Sequence, residues 1–229
     1  MSAAPALRAL LLLEAAAPET GPEALARLPV GRRDADLLRL REWTFGSRLL
    51  CGVTCAGCGE RLELDFRAGE IRDAAEPAAA DELFTSRVGD YEVSFRLPNS
   101  LDLLELASCA DPAEARRLLF ERCVNSAQLD GSQVEPASLP PEIVADVSEK
   151  MSQADPQGDV RVSVECPACG REWQTSFDIV SFFWSEVEAW ARRTLQEVHV
   201  LASVYGWRES DTLSLSPQRR RVYLEMIRG

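Results

Sequence analysis

The stretch Cys55-Ala56-Gly57-Cys58-Gly59 decides the fold of this chain, because the same motif returns as Cys166-Pro167-Ala168-Cys169-Gly170. Each copy is followed by an alternating, strand-like run, residues 62–66 and 173–177. Four thiolates can hold one tetrahedral zinc ion and leave no coordination position open for water or substrate. The glycine after each second cysteine tolerates positive φ, which lets backbone N–H groups turn toward the sulfur atoms. The motifs therefore predict one structural zinc ion per chain, with four ligands: Cys55, Cys58, Cys166 and Cys169.

The distance between the two knuckles in the sequence predicts a split zinc ribbon, in which the metal clips two distant parts of the chain together. Closing a flexible loop of this length costs about 4 kcal/mol, whereas structural zinc contributes about 10–16 kcal/mol in peptides. The alternatives are two chance cysteine pairs or a thioredoxin-like redox motif. A redox motif needs only one pair, and chance does not explain the repeated glycine and strand.

The other three cysteines have two possible roles. Cys51 lies four residues before Cys55 and could be a spare ligand, although a buried small hydrophobic role is the favoured interpretation. Cys109 and Cys123 lie in helical-looking sequence without partner spacing, and we expect them to fill core space. An odd total of seven cysteines with two paired knuckles indicates a reducing compartment and metal binding rather than disulfides.

The net charge of −12 limits the partners that the chain can attract. Such a chain repels nucleic acid and anionic membranes overall. The apolar run of residues 6–13 is short, is closed by Glu14, and lacks both a basic start and a cleavage site, so it does not read as a signal peptide. No apolar segment of 18 residues occurs, and we expect no transmembrane helix. These features predict a cytoplasmic protein without membrane insertion.

Turn residues and hydrophobic periodicity predict the elements up to the second knuckle. The expected helices are residues 6–17, 22–28, 31–44, 101–108, 113–124 and 140–151. The expected strands are residues 49–53, 84–88, 91–97 and 159–165, of which the middle two form a hairpin turning at Gly89-Asp90. Residues 67–82 and 125–139 are expected to be loops.

The C-terminal part predicts a long helix over residues 179–204 and a last helix over residues 218–227. Along the long helix, apolar residues recur at close to 3.6 positions: Val180, Trp184, Val187, Ala191, Leu195, Val198, Ala202 and Tyr205. Further aromatic residues lie outside this face, which indicates that a partner covers part of the helix. The predicted partner-binding residues are Trp184, Tyr205, Trp207 and Tyr223.

No constellation in the sequence indicates an enzyme. His199 is the only histidine, and no nucleophile motif, phosphate-binding glycine loop or distinct carboxylate pair accompanies it. The run Arg219-Arg220-Arg221 resembles part of a helix-turn-helix, but the acidic remainder favours a solvated face or the rim of a protein interface. Two other classes stay open: a zinc-ribbon regulatory protein that associates with nucleic acid, and an enzyme whose open zinc site exchanges Cys51 for another ligand.

Together these elements predict an α+β protein with a split zinc ribbon, an α/β insertion between the knuckles and flanking helices. The ribbon halves are residues 49–66 and 159–178, and the insertion is residues 67–158. An N-terminal helical segment, residues 1–48, precedes the ribbon. A C-terminal helical region, residues 179–229, follows it.

Several segments resemble the baseplate hub and baseplate assembly proteins of T-even-like contractile phage tails. They are residues 31–46 before the first knuckle, Tyr91–Ser100 in the insertion, and residues 199–202, 205–209 and 215–224 near the end. The similarity is greatest to zinc-knuckle relatives in phage tail-like contractile injection systems. The resemblance implies a non-enzymatic baseplate component or assembly factor. Its partners would be other baseplate, hub or tube proteins of the same particle, with no nucleic acid and no small-molecule substrate.

Overall fold

Helices and small antiparallel sheets alternate along the chain in the computed structural model, which describes residues 4–72 and 78–228. The helices are α1 (Pro5–Ala16), α2 (Pro22–Ala26), α3 (Val30–Phe45), α4 (Ala68–Ile71), α5 (Ser100–Leu106), α6 (Pro112–Cys123), α7 (Pro141–Ala154), α8 (Ile179–Tyr205), α9 (Glu209–Ser214) and α10 (Pro217–Arg228). The strands are β1 (Arg48–Thr54), β2 (Arg61–Arg67), β3 (Leu83–Val88), β4 (Tyr91–Arg96), β5 (Val124–Leu129), β6 (Ser132–Gln133), β7 (Arg161–Glu165) and β8 (Glu172–Ser176). The prediction of a mixed helix and sheet protein is confirmed. The chain divides into two units, Met1–Val180 and Ser181–Gly229.

Two separate hairpins, β1–β2 and β7–β8, each turn at one of the cysteine knuckles. Both are antiparallel, with Val53 opposite Leu62 in the first and Val164 opposite Trp173 in the second. At the end of the hairpins away from the knuckles, the ring of Phe66 meets that of Phe177 edge to face, with centroids 5.4 Å apart. The two hairpins therefore touch through an aromatic pair as well as through their turns.

The segment between the hairpins builds a four-stranded antiparallel sheet in the order β3-β4-β5-β6. The expected hairpin of β3 and β4 is present. The expectation of a loop over residues 125–139 is wrong, because β5 pairs with β4 and turns through Asp130-Gly131 into β6. Both turn residues have positive φ, as the preferred two-residue hairpin turns require. Polar residues such as Asn125, Ser126 and Gln128 hide the strand pattern of β5.

Helices α6 and α7 cover this sheet and close the main core of the first unit. The stacked rings of Phe84 and Phe95, 5.8 Å apart, join the two strands of the first hairpin of the sheet. The buried members of the core are Val93, Phe95, Phe120, Val124, Ala127, Leu139, Ile143 and Val147. The apolar face of α7 is thereby matched to the apolar face of the sheet, which is what holds the insertion together.

Helix α3 ties the first hairpin to the rest of its unit through buried arginines. The guanidinium of Arg41 donates 2.7 Å hydrogen bonds to the carbonyls of Gly46 and Arg48, which fixes the passage from α3 into β1. Arg33 donates to Ser100 Oγ at 3.2 Å and pairs with Asp34 at 2.8 Å. These bonds position the hairpin that carries the first knuckle.

The second unit consists of helices α8 (from Ser181), α9 and α10. Gly206, with a φ of 67°, ends the long helix, one residue later than the sequence predicts. The short helix α9 lies between the long helix and α10. Arg220 of α10 is buried and pairs with Glu197 of α8 at 2.9 Å. No helix among residues 4–72 and 78–228 is both long and apolar enough to cross a membrane.

Candidate metal centre

The first knuckle folds the backbone tightly around Cys55. The N–H of Cys55 donates to the carbonyl of Glu60 at 2.9 Å, and the N–H of Gly59 donates to the carbonyl of Cys55 at 2.9 Å. The N–H of Gly57 points at the sulfur of Cys55, 3.3 Å away. Gly59 has a φ of 77°, a conformation that glycine adopts without steric cost.

The second knuckle repeats this geometry. The N–H of Cys166 donates to the carbonyl of Arg171 at 2.9 Å, and the N–H of Gly170 donates to the carbonyl of Cys166 at 2.8 Å. Gly170 has a φ of 70°. The shared Cys-x-x-Cys-Gly spacing thus produces the same local structure twice, as the sequence predicts.

The structure brings the four knuckle cysteines together, with all four sulfur atoms within 4.8 Å of one another. The sulfur of Cys55 lies 3.7 Å from that of Cys169, and the sulfur of Cys58 lies 3.6 Å from that of Cys166. A zinc–sulfur bond of about 2.3 Å implies sulfur–sulfur edges of about 3.8 Å in a tetrahedral site. The two close pairs each join one knuckle to the other, so the cluster fits a single metal ion held between the hairpins.

The protonation of the thiols also fits a cation at the centre. Backbone N–H groups of Cys58 and Gly57 lower the pKa of Cys55 to about 6. The N–H of Glu60 lowers the pKa of Cys58, but the thiols of Cys166, Cys169 and Cys55 together with burial outweigh it, and the pKa of Cys58 is raised to about 12. Neighbouring negative charges disfavour one another, so all four sulfurs become thiolates together only around a positive ion.

The remaining cysteines lie outside this cluster, which consists of the four knuckle residues. Cys51 faces Leu64 across the first hairpin, and burial raises the pKa of its thiol. Cys123 is buried, and burial raises its pKa to about 12. The thiol of Cys109 donates to the carbonyl of Asp111 at 3.4 Å. Burial therefore disfavours the thiolate form of Cys51 and Cys123.

Three of the four predicted partner-binding residues lie together in the second unit. The rings of Tyr205 and Trp207 stack at 4.8 Å, and Tyr223 meets Trp207 edge to face at 4.9 Å. Trp184 lies toward the opposite end of α8, about 30 Å away along the helix axis at 1.5 Å per residue. The three aromatic rings therefore form one cluster, here called the aromatic trio, and Trp184 does not join it.

The other candidates singled out in the sequence have ordinary surroundings. His199 is exposed on α8 beside a groove of about 660 Å³, whose apolar lining includes Leu195, Val200 and Leu224. Arg220, the middle residue of the arginine run, is buried against Glu197, and Arg221 pairs with Glu225 on its own helix at 3.0 Å. Because Arg220 is buried, the three arginines do not form one continuous exposed basic row.

Sequence reasoning missed one residue beside the cluster, Arg171. Its carbonyl accepts the hydrogen bond that closes the second knuckle, and its side chain reaches Gly57 in the first. The sequence does contain a signal for Arg171. The two knuckles share their cysteines and the glycine that follows, but the residue after this glycine is Glu60 in the first and the oppositely charged Arg171 in the second.

Comparison with known protein families adds one finding. The family described as T4 bacteriophage base plate protein matches residues 11–184, which is more than half of the chain and includes both knuckles. No curated protein and no solved structure matches the chain.

Proposed function

Because this chain belongs to the T4 bacteriophage base plate protein family, we propose that it is a non-enzymatic baseplate component or baseplate assembly factor of a contractile phage tail-like injection system. It works in the bacterial cytoplasm, where such a particle is assembled, and a permanent component would travel with the particle. The family match is the observation that carries this proposal. Residues 31–46 and 91–100, which resemble baseplate proteins in sequence, lie within the matched range, and this agreement supports the proposal.

The metal part of the proposal is a structural zinc ion that completes a split zinc ribbon. Four sulfurs from two knuckles, all within 4.8 Å of one another, support zinc over harder cations that prefer oxygen ligands. Residues 49–66 and 159–178 are the ribbon halves, and residues 67–158 are an insertion whose ends the metal holds together. With four protein ligands the ion has no open position, so its role is architectural.

The partner-binding part of the proposal concerns the C-terminal helical region, residues 179–229. Among the described residues, eight of the fourteen exposed large apolar side chains lie in the second unit. Residues 181–229 contain seven arginines and six acidic residues, so their net charge is +1, against −13 for residues 1–180. An apolar surface without strong charge is typical of protein interfaces.

We assign the contact with other baseplate, hub or tube proteins to this region, including Trp184, Tyr205, Trp207 and Tyr223. The rings of the aromatic trio contact one another. A partner would therefore meet them as one preformed block, in which little side-chain freedom is left to lose on binding. Alanine at Trp207 or Tyr223 would disturb this block as well as the contact, so a test of partner binding needs another position.

Quantitative mass spectrometry of mature particles purified from the native host tests the proposed function. A fixed ratio of this chain to the known baseplate proteins identifies a permanent component. Absence from the particle, together with failed assembly when the gene is deleted, identifies an assembly factor. Absence with normal assembly on deletion contradicts the proposal.

Leu195→Asp tests the partner-binding region, because Leu195 is 58% exposed on α8 and its replacement leaves the core of the unit intact. We expect this variant to lose co-purification with the other baseplate proteins. The matched control is Leu83→Asp in the first unit, where a leucine of 56% exposure receives the same charge. If both variants co-purified equally well with the other baseplate proteins, the proposal that the second unit binds the partner would be contradicted.

A further inference from the structure

The side chain of Arg171 in the second knuckle lies across Gly57 of the first. A Cβ on Gly57 would be 3.1 Å from Cδ of Arg171, which is closer than side chains usually pack, and in ordinary contact with its Nη1 at 3.5 Å. The same point is 3.6 Å from the sulfur of Cys169. The guanidinium nitrogen is therefore within about 7 Å of a metal-ligand sulfur, which is less than the Debye length of about 8 Å at physiological ionic strength.

The two knuckles differ at the two positions that make this crossing possible. Gly57 corresponds to Ala168 in the second knuckle, and Arg171 corresponds to Glu60 in the first. Both knuckles are closed by the same two backbone hydrogen bonds, so their turns do not account for the one-way crossing. Gly57 lies outside the set of glycines with positive φ, so the lack of a side chain there serves space and not backbone conformation. Arg171 therefore crosses from the second knuckle to the first. The reverse crossing, by Glu60 over Ala168, would lack a positive charge and would meet the methyl group of the alanine.

The negative charge of the proposed zinc site explains why an arginine next to it would be favourable. Four thiolates around one zinc ion leave a net charge of −2, within a chain whose net charge is already −12. A cation as close as the Arg171 guanidinium is attracted to this negative charge, so it stabilises the occupied site and opposes its opening. Arg171 also makes a physical link between the hairpins, because its backbone belongs to one knuckle and its guanidinium lies on the other.

We propose that Arg171 and Gly57 form a clamp across the two knuckles that slows the release of the metal ion. This inference rests on the zinc site of the proposed function. Changes to residues around metal ligands commonly alter metal affinity 10- to 100-fold. Loss of the clamp is thus expected to speed zinc release about tenfold at the lower end of that range.

Zinc transfer from the full-length protein to the chelating dye 4-(2-pyridylazo)resorcinol measures the release rate. Arg171→Gln and Gly57→Leu each remove the crossing, the first by deleting the charge and the second by filling its path. Both variants are expected to release zinc faster. The double variant is expected to be no faster than either single one, because the two changes break the same contact. Arg171→Lys, which keeps the charge, is expected to restore part of the retention at low salt.

Two controls separate the clamp from general effects. Ala168→Leu enlarges the corresponding position of the second knuckle, and Arg61→Gln removes an arginine adjacent to the first knuckle in sequence. Both are expected to release zinc at the rate of the unchanged protein. If Arg171→Gln also releases zinc at that rate, the clamp is refuted while the zinc site stands. If the unchanged protein holds no zinc, the metal part of the proposed function fails instead.

Discussion

The backbone N–H of Gly31 donates a 2.8 Å hydrogen bond to Oδ2 of Asp155, a residue 124 positions further along the chain. Gly31 is buried in the first turn of α3, and Asp155 follows the last residue of α7. A Cβ on Gly31 would be 2.6 Å from the carboxyl carbon of Asp155 and 2.7 Å from the backbone nitrogen of Gly158. The start of α3 thus approaches the end of the insertion so closely that only glycine fits.

Gly31→Ala is expected to destabilise the protein. The added methyl group must displace backbone as well as a carboxylate, and overpacking of this kind costs about 1–3 kcal/mol. Gly69→Ala is the matched control, because a Cβ there meets nothing within 4 Å and a helical alanine is favoured over glycine. Urea unfolding of both variants provides the measurement. Equal stability of Gly31→Ala and the unchanged protein would contradict the close approach.

Asp155→Asn is expected to raise the free energy of unfolding at neutral pH. Burial raises the pKa of Asp155, although the N–H of Gly31 and the charge of Arg33 oppose the shift. A carboxyl whose pKa is higher in the folded state binds more protons when folded, so its contribution to stability falls as the pH rises through that pKa. Asparagine keeps an acceptor for Gly31 without the buried charge. The gain is expected to shrink as the pH approaches about 4, the pKa of an unfolded aspartate. A gain that is independent of pH would show that the charge of Asp155 is not the cause.

Asp102→Asn is expected to have the opposite effect. The side chain of Asp102 is 1% exposed and accepts hydrogen bonds from Arg96 at 2.7 and 2.8 Å and from Arg122 at 3.1 Å. Burial raises its pKa, but the bonds from Arg96, Asn99 and Arg122 prevail, and the pKa is lowered. The stability from such a group is present above pH about 4 and is lost as the pH falls through its folded pKa. We expect a loss of about 2–3 kcal/mol at pH 7.

The pH dependence of this second variant provides its own check. The difference in unfolding free energy between Asp102→Asn and the unchanged protein is expected to narrow as the pH falls below about 4 and to close once the pH is below the lowered pKa of folded Asp102, because both side chains are then neutral. Any proton-driven release of metal affects both proteins equally and cancels in the difference. A penalty that persists at low pH would assign the effect to side-chain geometry instead of charge.

The knuckles, most helices and the β3–β4 hairpin could be predicted from the sequence because their signals are local. A Cys-x-x-Cys-Gly spacing fixes its own turn, and α8 ends within one residue of the position that its apolar period and Gly206 predict. The signal for β5 was also local, since Asp130-Gly131 is a strong hairpin turn, but the polar residues before it obscured the strand.

Long-range choices could not be predicted in the same way. Leu195 lies on the apolar face that periodicity assigns to α8, yet it is exposed. Periodicity gives the direction of a face but not how much of it another element covers. Likewise, nothing near Gly31 in the sequence indicates Asp155, and nothing near Arg220 indicates Glu197. Such pairs form only when separate elements pack, so one sequence without its fold does not reveal them.

Arg220→Ala is expected to destabilise the second unit. The side chain of Arg220 is 7% exposed and donates both to Glu197 at 2.9 Å and to the carbonyl of Leu215 at 2.8 Å. Its removal leaves a half-buried carboxylate and a carbonyl without their donor, which costs about 1.5–3 kcal/mol. The neighbouring Arg221→Ala is the control, because that exposed pair with Glu225 contributes only about 0.5 kcal/mol. Urea unfolding followed by tryptophan fluorescence compares the two, and equal losses would contradict the buried role of Arg220.

Removal of the metal is expected to open the two hairpins while the sheet under α6 and α7 persists. Without an ion, no metal–sulfur bonds join the hairpins, and the contacts that remain, such as the pair of Phe66 and Phe177 and the crossing of Arg171 over Gly57, are weak. The core of the insertion does not include the cysteine cluster, so it has its own source of stability. Limited proteolysis after chelation is therefore expected to cut within residues 48–67 and 161–176 first. Cys58→Ser is expected to lose bound zinc by elemental analysis, whereas Cys51→Ser and Cys109→Ser keep one ion per chain. If the Cys51→Ser variant held no zinc, Cys51 would be a metal ligand, and the alternative of an open zinc site that exchanges Cys51 for another ligand would be favoured.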